Sequence, residues 1–559
     1  MKRKANKLLS VALCLVFIFT LGVIWASADE LTGSGTSADP YLISTADDIA
    51  ALSDAVNNGN DFSGCIVTLT DDITFSGAFT PIGNPSAPFR GTFLGEGHTV
   101  SGLHVNTAYA GFFGYTENAV ISELRVNGTF DITGGDYAGA IVAYAVNTDI
   151  TDCTGGASVY ADNYSGGIVG YISSGTVSDT KTLSSATVGC DNENCGGIAG
   201  YSAADIIGCT NNSYIFANKN VGGIAGVSKG DIISCTNTVK IDAYSSNYGG
   251  IAGIAEGTVK FCKNSGTVSG NTRNEGKAGG IAGIANKAEI SQCLQAGNVI
   301  SAGEYAGGIA GYVTDGSITD CICTGNVTTT MNFAGGIFGS ATKTQVARCL
   351  FTVSVSAASA TDGAIGAVSS AAVSGCYYNS DNEAKAFVSA VSSEGVTGIT
   401  TNAISSRNSY QGWDFENTWT VNSLHAQHPL LKGIPFHSIV NISYQAPDCT
   451  EDGIIIDSCS VCNEIIETVL KAEGHDFTPV SYRYASCSLD GYIDSICTKC
   501  NETDTEILPA TDHLDENKDN HCDSCNMELG SDKDEEKSIF EKIIDFFASI
   551  IEWLRNLFK

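Results

Sequence analysis

The chain has 559 residues, 43% of them apolar, and its 61 acidic residues against 29 basic ones give a net charge of −32. This apolar content excludes a fully disordered polymer and is enough for several domains with a buried core. The negative field repels phosphate backbones, so we expect no nucleic-acid partner, whereas polyvalent cations and neutral or basic surfaces remain compatible with it.

The first 28 residues follow the pattern of an export signal. Basic residues 2–4 precede an apolar run over residues 8–26, and a small-x-small cleavage site ends at Ala28. We therefore predict a signal peptide over residues 1–28 and an extracellular location, secreted or attached to the cell surface, for the rest of the chain. Because the apolar run is long for a signal core, an uncleaved membrane anchor is the alternative.

Residues 46–57 are predicted to form a short helix. Thr45 can cap its N-terminus, and Ile49, Leu52 and Val56 recur at helical spacing. A repeat array follows this segment, and such arrays need their open ends covered. We expect the helix to provide that cover.

The repeat itself is a glycine motif, Gly-Gly-Ile-Ala-Gly at residues 222–226, which returns in near-copies every 26 to 30 residues. The copies end at Gly114, Gly170, Gly200, Gly226, Gly253, Gly283, Gly311, Gly339 and Gly366, with a degenerate copy ending at Ala143. A period of this length, combined with β-branched runs and Gly-rich turns, predicts a solenoid. Parallel pairing between successive coils makes the predicted fold all-β, a right-handed parallel β-helix over residues 29–433.

Two further columns follow the same period. A cysteine stands nine or ten residues after most of these glycines, at Cys153, Cys209, Cys235, Cys262, Cys293, Cys321, Cys349 and Cys376. Three residues before each cysteine stands Ile or Val, so each coil is predicted to hold two or three short strands. A spacing of three breaks strict alternation, and we expect either a bulge between the two columns or columns on opposite faces.

The cysteine column is interpreted as a ladder of buried thiols that act as small apolar side chains. A metal wire or a stack of disulfides is the alternative, which is weakened by Thr180 standing on one rung and by the need of metal sites for convergent ligands. Cys190 and Cys195, in a loop, are the better candidates for a disulfide.

The glycine motifs with their Ile-x-x-Cys strands, the Gly-Phe-Phe-Gly copy at residues 111–114 and the closing segment at residues 419–431 resemble the GLUG-motif repeat proteins of bacterial surfaces. The resemblance covers residues 33–433 and implies the parallel β-helix. In that family the repeats accompany adhesins, surface proteins and some immunoglobulin-cleaving metallopeptidases. The peptidase module would need a His-Glu-x-x-His motif, which this sequence lacks.

After a predicted linker at residues 434–448, a cysteine-rich pattern begins. Cys449, Cys459, Cys462 and His475 recur 38 residues later as Cys487, Cys497, Cys500 and His513, and a truncated copy adds Cys522 and Cys525. A Cys-x-x-Cys pair with a third Cys and a His completes a tetrahedral structural zinc site, and segments this short need a staple. We therefore predict zinc-stapled modules over residues 449–529 with these ten side chains as metal ligands. Disulfides, favoured by export, are the alternative.

These modules resemble small Cys-rich repeats near the C-termini of surface proteins of Gram-positive anaerobes. Within them, Asp515, Asn517, Asp519 and Asp523 resemble part of a calcium loop. Asn520 replaces the turn glycine of such a loop. Calcium is therefore kept as a second candidate ion, with an ordinary acidic turn as the alternative.

Residues 530–559 begin with a charged spacer and end with apolar residues at spacings of three and four, which predicts an amphipathic helix. A helix with such a wide apolar face must dock on something. We expect contact with a membrane surface or a partner helix, and packing on the same chain is the alternative.

The predicted function is a surface scaffold that binds host, glycan or cell-wall surfaces without catalysis. Because parallel β-helices also carry polysaccharide lyases and glycoside hydrolases, such an enzyme is the first alternative, and a passive stalk is the second. A lyase needs a basic residue near carboxylates on one exposed sheet. The only basic concentration is Lys240, Lys260, Lys263, Arg273, Lys277 and Lys287 beside Glu256, Glu275 and Glu289, which solvated turns explain equally well.

Overall fold

The computed structural model of the protein describes residues 31–127, 131–271, 276–358, 362–383, 385–386, 395–422, 425–435, 439–445, 447–459, 465–472, 474–487, 489–510 and 521–522. The chain divides into two compact units, Met1–Phe436 and His437–Lys559. The predicted signal peptide, the calcium-like loop and the C-terminal helix lie outside the described residues.

The first unit is a parallel β-solenoid, which confirms the predicted fold class. Short strands of successive coils pair in parallel and build three long sheets. The first sheet has 13 strands, Tyr41–Ile43, Ile66–Leu69, Thr92–Leu94, Val120–Ser122, Thr148–Thr151, Gly175–Ser178, Asp205–Ile207, Ile232–Ile233, Thr258–Lys260, Glu289–Ser291, Ser317–Thr319, Gln345–Ala347 and Ala372–Ser374. The second sheet has ten strands, Phe113–Glu117, Val142–Val146, Val169–Ile172, Ala199–Ser202, Ala225–Ser228, Ala252–Ala255, Ala282–Asn286, Ala310–Thr314, Phe338–Thr342 and Ala367–Ser369.

The third sheet has 28 strands because turns divide it into neighbouring ladders. In chain order these strands are Ile73–Ala78, Thr99–Ala110, Arg125–Asn127, Asp131–Gly139, Thr154–Gly155, Ser158–Ala161, Tyr164–Gly166, Lys181–Thr182, Thr187–Gly196, Thr210–Asn211, Tyr214–Gly222, Thr236–Asn237, Ile241–Ala243, Tyr248–Gly249, Lys263–Asn264, Val268–Gly270, Lys277–Gly279, Leu294–Gln295, Val299–Ser301, Tyr305–Gly307, Ile322–Cys323, Val327–Thr329, Phe333–Gly335, Leu350–Phe351, Val355–Ala357, Asp362–Gly363, Cys376–Asn379 and Val396–Ile399. A middle coil therefore holds more than the two or three strands that we predicted.

One-residue turns explain both the extra strands and the spacing of three. Ser234 lies between the buried residues Ile232 and Cys235 and adopts a left-handed backbone with φ of 57°. The chain changes direction at this residue. The branched column before it and the cysteine column after it therefore both point into the core. The alternative of columns on opposite faces is wrong, and the expected break in alternation takes the form of a left-handed turn.

The Gly-Gly pairs are explained by close approach of neighbouring backbone. A Cβ at Gly222 would lie 1.9 Å from the Ala225 carbonyl oxygen, and one at Gly223 would lie 2.0 Å from the Gly250 carbonyl oxygen. Neither glycine has a positive φ. The motif therefore marks the position where coils pack too tightly for any side chain.

A buried amide ladder accompanies the apolar core, and the sequence patterns had not indicated it. The Asn211 side chain donates to Asn237 Oδ1 (2.9 Å), Asn237 donates to Asn264 Oδ1 (2.7 Å), and Asn264 donates to Gln295 Oε1 (2.8 Å). Because each side-chain amide hydrogen-bonds to the amide of the next coil, these buried polar groups have partners inside the core.

One segment covers the N-terminal end of the solenoid, and another packs along the flank of its last coils. The helix Ala46–Asn57 buries Ile49, Leu52 and Val56, as predicted, and Thr45 forms a capping box with Asp48. At the other end, the chain after Val396–Ile399 continues through the helix Thr401–Ile404 and the 3-10 helix Arg407–Ser409 to the antiparallel pair Trp419–Thr420 and Leu430–Leu431. That segment packs aromatic side chains on the outer flank of the last coils.

The second unit contains two three-stranded antiparallel sheets. Module 1 consists of Ile439–Gln445, Gly453–Cys459 and Ile465–Leu470, and module 2 consists of Phe477–Arg483, Gly491–Cys497 and Thr503–Leu508. The first strand of module 1 lies within the segment that the sequence suggested as a linker. Within the described part of the whole chain, we find no helix with the length and apolar character needed to cross a membrane.

Candidate metal centre

Two turns of the second unit carry the candidate ligands. Cys449 lies in the loop between the first two strands of module 1, where the Asp448 carboxylate accepts hydrogen bonds from the backbone N–H groups of Thr450 (2.8 Å) and Glu451 (2.7 Å). Such a turn fixes the backbone on either side of Cys449. The loop thereby holds the thiol in one place, and the side chain is buried.

Cys497 ends the middle strand of module 2, and the turn that follows brings Cys500 back beside it. The Cys497 N–H donates to the Glu502 carbonyl (2.7 Å), and Asn501, with φ of 62°, donates its N–H to the Cys497 carbonyl (2.9 Å). Asp476 donates its backbone N–H to Cys497 Sγ (3.4 Å). This contact places the preceding residue, His475, at the cysteine pair.

Four donor atoms converge at this point. The ligand atoms of Cys449, His475, Cys497 and Cys500 all lie within 4.8 Å of one another. Cys449 Sγ is 3.7 Å from Cys497 Sγ, and Cys500 Sγ is 3.4 Å from His475 Nδ1. A tetrahedral zinc ion with ordinary bond lengths requires about 3.8 Å between two sulfurs and about 3.6 Å between a sulfur and a nitrogen. These two separations match two edges of such a tetrahedron, whereas 3.7 Å is far too long for a disulfide.

The His475 ring is oriented by contacts on the side opposite Nδ1. His475 Nε2 lies 3.4 Å from Glu502 Oε2, and the ring stacks on Phe477 with centroids 5.1 Å apart. A carboxylate on the outer nitrogen keeps the proton there and leaves Nδ1 free to bind an ion. This is the outer partner that metal-binding histidines usually have.

The protein environment also prepares one thiolate. Burial alone would raise the pKa of Cys497, but hydrogen bonds from the backbone N–H groups of Asp476, Cys500 and Lys499 outweigh burial and lower the pKa to about 5. Burial and the two neighbouring thiols raise the pKa of Cys449 to about 12. Binding of a cation to this group would therefore displace protons from some of its thiols.

The group takes its ligands from both copies of the cysteine pattern. Cys449 and His475 belong to the first copy and Cys497 and Cys500 to the second. Cys487 and Cys522 are buried elsewhere in the second unit. The remaining predicted ligands are the Cys459 side chain, Cys462, His513 and Cys525, which lie outside the described residues.

The cysteines of the solenoid are arranged differently. Cys235 Sγ lies 3.4 Å from the Ile233 carbonyl, and Cys262 Sγ lies 3.3 Å from the Lys260 carbonyl, each thiol donating to its own chain. All the described cysteines of the column are buried and free, in agreement with the thiol-ladder interpretation. Cys190 and Cys195, the candidate pair for a disulfide, are also free thiols, and they lie within the strand Thr187–Gly196 instead of in a loop.

Three described basic residues of the middle coils, Lys240, Lys260 and Lys263, make separate local contacts. Lys240 pairs with Asp242 (2.8 Å), and Lys260 lies over the Phe261 ring, 4.7 Å from its centroid. Lys263 lines a cavity of about 170 Å³ with His428 and apolar side chains of the closing segment. Arg273 and Glu275 lie outside the described residues. These local contacts give the lyase alternative no support.

No protein-family model matches the chain. Over 170 residues, or 27% of this chain, the sequence is 31% identical to Halomucin of Haloquadratum walsbyi, and the chain spans only 2% of the length of that relative. A crystal structure from Bacteroides ovatus, provisionally assigned as an immunoglobulin A1 protease, is 15% identical and aligns with 72% of this chain and 95% of its own, at a TM-score of 0.32. At that coverage and that TM-score, neither likeness assigns an activity to this protein.

Proposed function

We propose that this protein is an extracellular scaffold of the GLUG-motif type that adheres to neutral glycan surfaces and catalyses no reaction. The observation that carries the proposal is a tyrosine face on the solenoid. It comprises a first row, Tyr109, Tyr137 and Tyr164, and a second row, Tyr115, Tyr144, Tyr171 and Tyr201. All seven side chains are partly exposed.

The rings of the tyrosine face are held in place by one another. Tyr144 and Tyr171 stack with centroids 4.6 Å apart, and Tyr171 and Tyr201 do so at the same distance. Between the rows the rings meet edge to face, as for Tyr137 and Tyr144 at 5.0 Å and 84°. Because these side chains are already ordered, binding a partner costs little further conformational entropy.

The chemistry of this face suits sugars. Burial and neighbouring phenols raise the pKa of Tyr144 to about 12, so its hydroxyl stays neutral at physiological pH and both donates and accepts hydrogen bonds. Aromatic edges with regularly spaced hydroxyls match the mixed apolar and polar surface of a polysaccharide. The net charge of −32 disfavours acidic partners and favours neutral ones.

The extracellular setting rests on sequence. Residues 1–28 have the pattern of an export signal, and the matched relative bears the name Halomucin, which points to the same environment. The amphipathic helix predicted near the C-terminus would attach the chain to a membrane surface or a partner helix.

For the four converging ligands of the second unit, zinc is the proposed ion. Three sulfurs and one imidazole at tetrahedral spacing are the donor set of structural zinc, whereas calcium and magnesium prefer oxygen. The ion would supply stability and no chemistry, since all four positions of its tetrahedron are filled by protein.

Adhesion is tested with the full chain on surfaces coated with mucin or with purified cell-wall polysaccharide. The variant Tyr144→Ser/Tyr171→Ser removes the centre of the tyrosine face, and we expect its binding to fall at least about tenfold. The matched control, Tyr214→Ser/Tyr244→Ser, removes two exposed tyrosines outside the tyrosine face and should bind like the wild type. Equal binding by all three proteins would show that the ligand binds at another surface. No binding by the wild type would favour the passive stalk.

A further inference from the structure

In the part of the second unit that the structure describes, its two modules meet at the ligand group. The strands of module 1 and module 2 form separate sheets, and no strand pairing joins those sheets in the described residues. Only residues 471–476 connect the last strand of module 1 to the first strand of module 2. Apolar side chains of module 2 face water, since Val480 is 61% exposed and Ile507 is 59% exposed. Small sheets of this kind need a staple to be stable.

The ligand group lies at the junction between the modules. His475 immediately precedes module 2, and Cys497 and Cys500 belong to its central turn, so these three side chains move with module 2. Cys449 alone comes from module 1, from the loop between its first two strands. Its sulfur is nevertheless 3.7 Å from that of Cys497, although 48 residues separate them in sequence.

We propose that the bound ion links consecutive modules, and that the preceding module supplies one of its four ligands, a cysteine. The inference rests on the proposed zinc site and adds the rule by which the ligands are grouped. Each ion takes the Cys-x-x-Cys pair of one module, the histidine that immediately precedes that module, and its fourth ligand from the module before. Each module is then joined to the next by a metal ion, in the order of the sequence, instead of being connected only by the polypeptide chain.

The rule extends along the chain. Cys487 occupies in module 2 the position that Cys449 occupies in module 1, 38 residues earlier. Cys487 is buried although it lies outside the four-ligand group. The rule assigns Cys487 to the ion of the next segment, where Cys522 is also buried.

The grouping rule is tested in the full zinc-loaded chain by alkylating free thiols and mapping the modified cysteines by mass spectrometry. In the variant Cys449→Ser we expect Cys497 and Cys500 to lose their protection, while Cys459 and Cys462 keep their wild-type reactivity. The reverse pattern, with Cys459 and Cys462 exposed, would overturn the inference because it would show that ligands are grouped within each copy.

A stoichiometry measurement separates the grouping rule from the zinc proposal. Under the rule, Cys449→Ser and Cys500→Ser each remove one equivalent of zinc, and the double variant also removes only one. Loss of two equivalents by that double variant would contradict the rule. The control variant Cys449→Ser/Cys487→Ser should lose two equivalents, which shows that the assay detects a double loss. A wild-type chain without bound zinc would instead refute the zinc proposal itself.

The variant Cys449→His guards against general unfolding of the second unit. Histidine retains a metal ligand at this position, so the zinc content should stay at the wild-type value. Under the rule, zinc should leave this variant at least about tenfold faster in a chelator, with the new reactivity appearing at Cys497 and Cys500. Faster release with new reactivity at Cys459 and Cys462 would contradict the rule.

Discussion

In the solenoid, Cys235, Cys262 and Cys293 lie one coil apart and each thiol donates to a backbone carbonyl, whereas in the second unit three sulfurs and an imidazole nitrogen converge within 4.8 Å. A ladder places each thiol between one neighbour above and one below, so no point along it is surrounded by four donors. Turns of two modules, by contrast, approach a single point from different directions. The function of a cysteine in this chain is therefore set by whether the backbone stacks or converges around it.

The two regions also differ in what stabilises them. The solenoid buries a continuous apolar core, with Ile206, Ile232, Val259, Ile290 and Ile318 in register on successive coils. The modules leave much of their apolar surface in water. Apolar burial accounts for the stability of the solenoid, and we propose that a bound ion stabilises the second unit.

Chelation should separate the two regions most clearly. Structural zinc contributes about 10–16 kcal/mol of apparent binding free energy in small domains at neutral pH. Stripping the ion should therefore open residues 439–510 to proteolysis and expose the Cys497 thiol, while Cys262 stays protected. Limited proteolysis and thiol titration before and after chelation measure both effects. Equal protection of Cys497 with and without chelator would contradict a metal staple.

A side chain on the Gly-Gly motif should damage only the solenoid. In Gly223→Val the new Cβ would lie 2.0 Å from the Gly250 carbonyl oxygen, and we expect a loss of at least about 3 kcal/mol in the free energy of unfolding. Denaturant unfolding followed by the fluorescence of the buried Trp413 and Trp419 measures this loss. The control Gly135→Val, where the nearest atom is 3.7 Å away, should unfold close to the wild type.

Replacing a cysteine by serine should have different effects in the solenoid ladder and in the ligand group of the second unit. Cys262→Ser should cost only about 1 kcal/mol and leave the metal content unchanged, because Thr180 already places a hydroxyl on this ladder and donates it to Cys209 Sγ (3.3 Å). Cys497→Ser should remove one ion and leave the solenoid intact. Metal analysis and thermal unfolding of both variants test this, and a drop in metal content with Cys262→Ser would contradict the ladder interpretation.

The smallest expected effect concerns the capping helix of the solenoid. Burial raises the pKa of the Asp48 carboxyl, but hydrogen bonds from Ser44 and Thr45 outweigh burial and lower this pKa below 3.8. A lowered pKa adds stability that is complete above pH 3.8 and disappears as the pH falls through the lowered value. Asp48→Asn should cost about 1 kcal/mol at pH 7 and almost nothing in strong acid. Unfolding measured at both pH values tests this, and an equal cost at both would contradict the carboxylate's role.

Much of the solenoid was predictable because its coils repeat. The columns of glycine, cysteine and branched residues fix the period, and the period requires stacked parallel strands. The direction of each side chain was not predictable from alternation alone, since Ser234 and most of its equivalents turn the chain without a glycine. Asn211 and Asn237 each stand two residues after a column cysteine, and this recurrence is visible in the sequence. Their burial was not predicted, because an amide is expected at the surface unless the next coil provides its partner.

The sequence by itself determined that the chain is a β-solenoid followed by cysteine-rich modules, and it identified Cys449, His475, Cys497 and Cys500 among the candidate ligands. Only the tertiary structure decided which of them meet. The pattern repeats at an offset of 38 residues, so it reads the same whether ligands are grouped within a copy or across two copies. The distance between Cys449 and Cys497 distinguishes these groupings, because it depends on how one module is placed against the next.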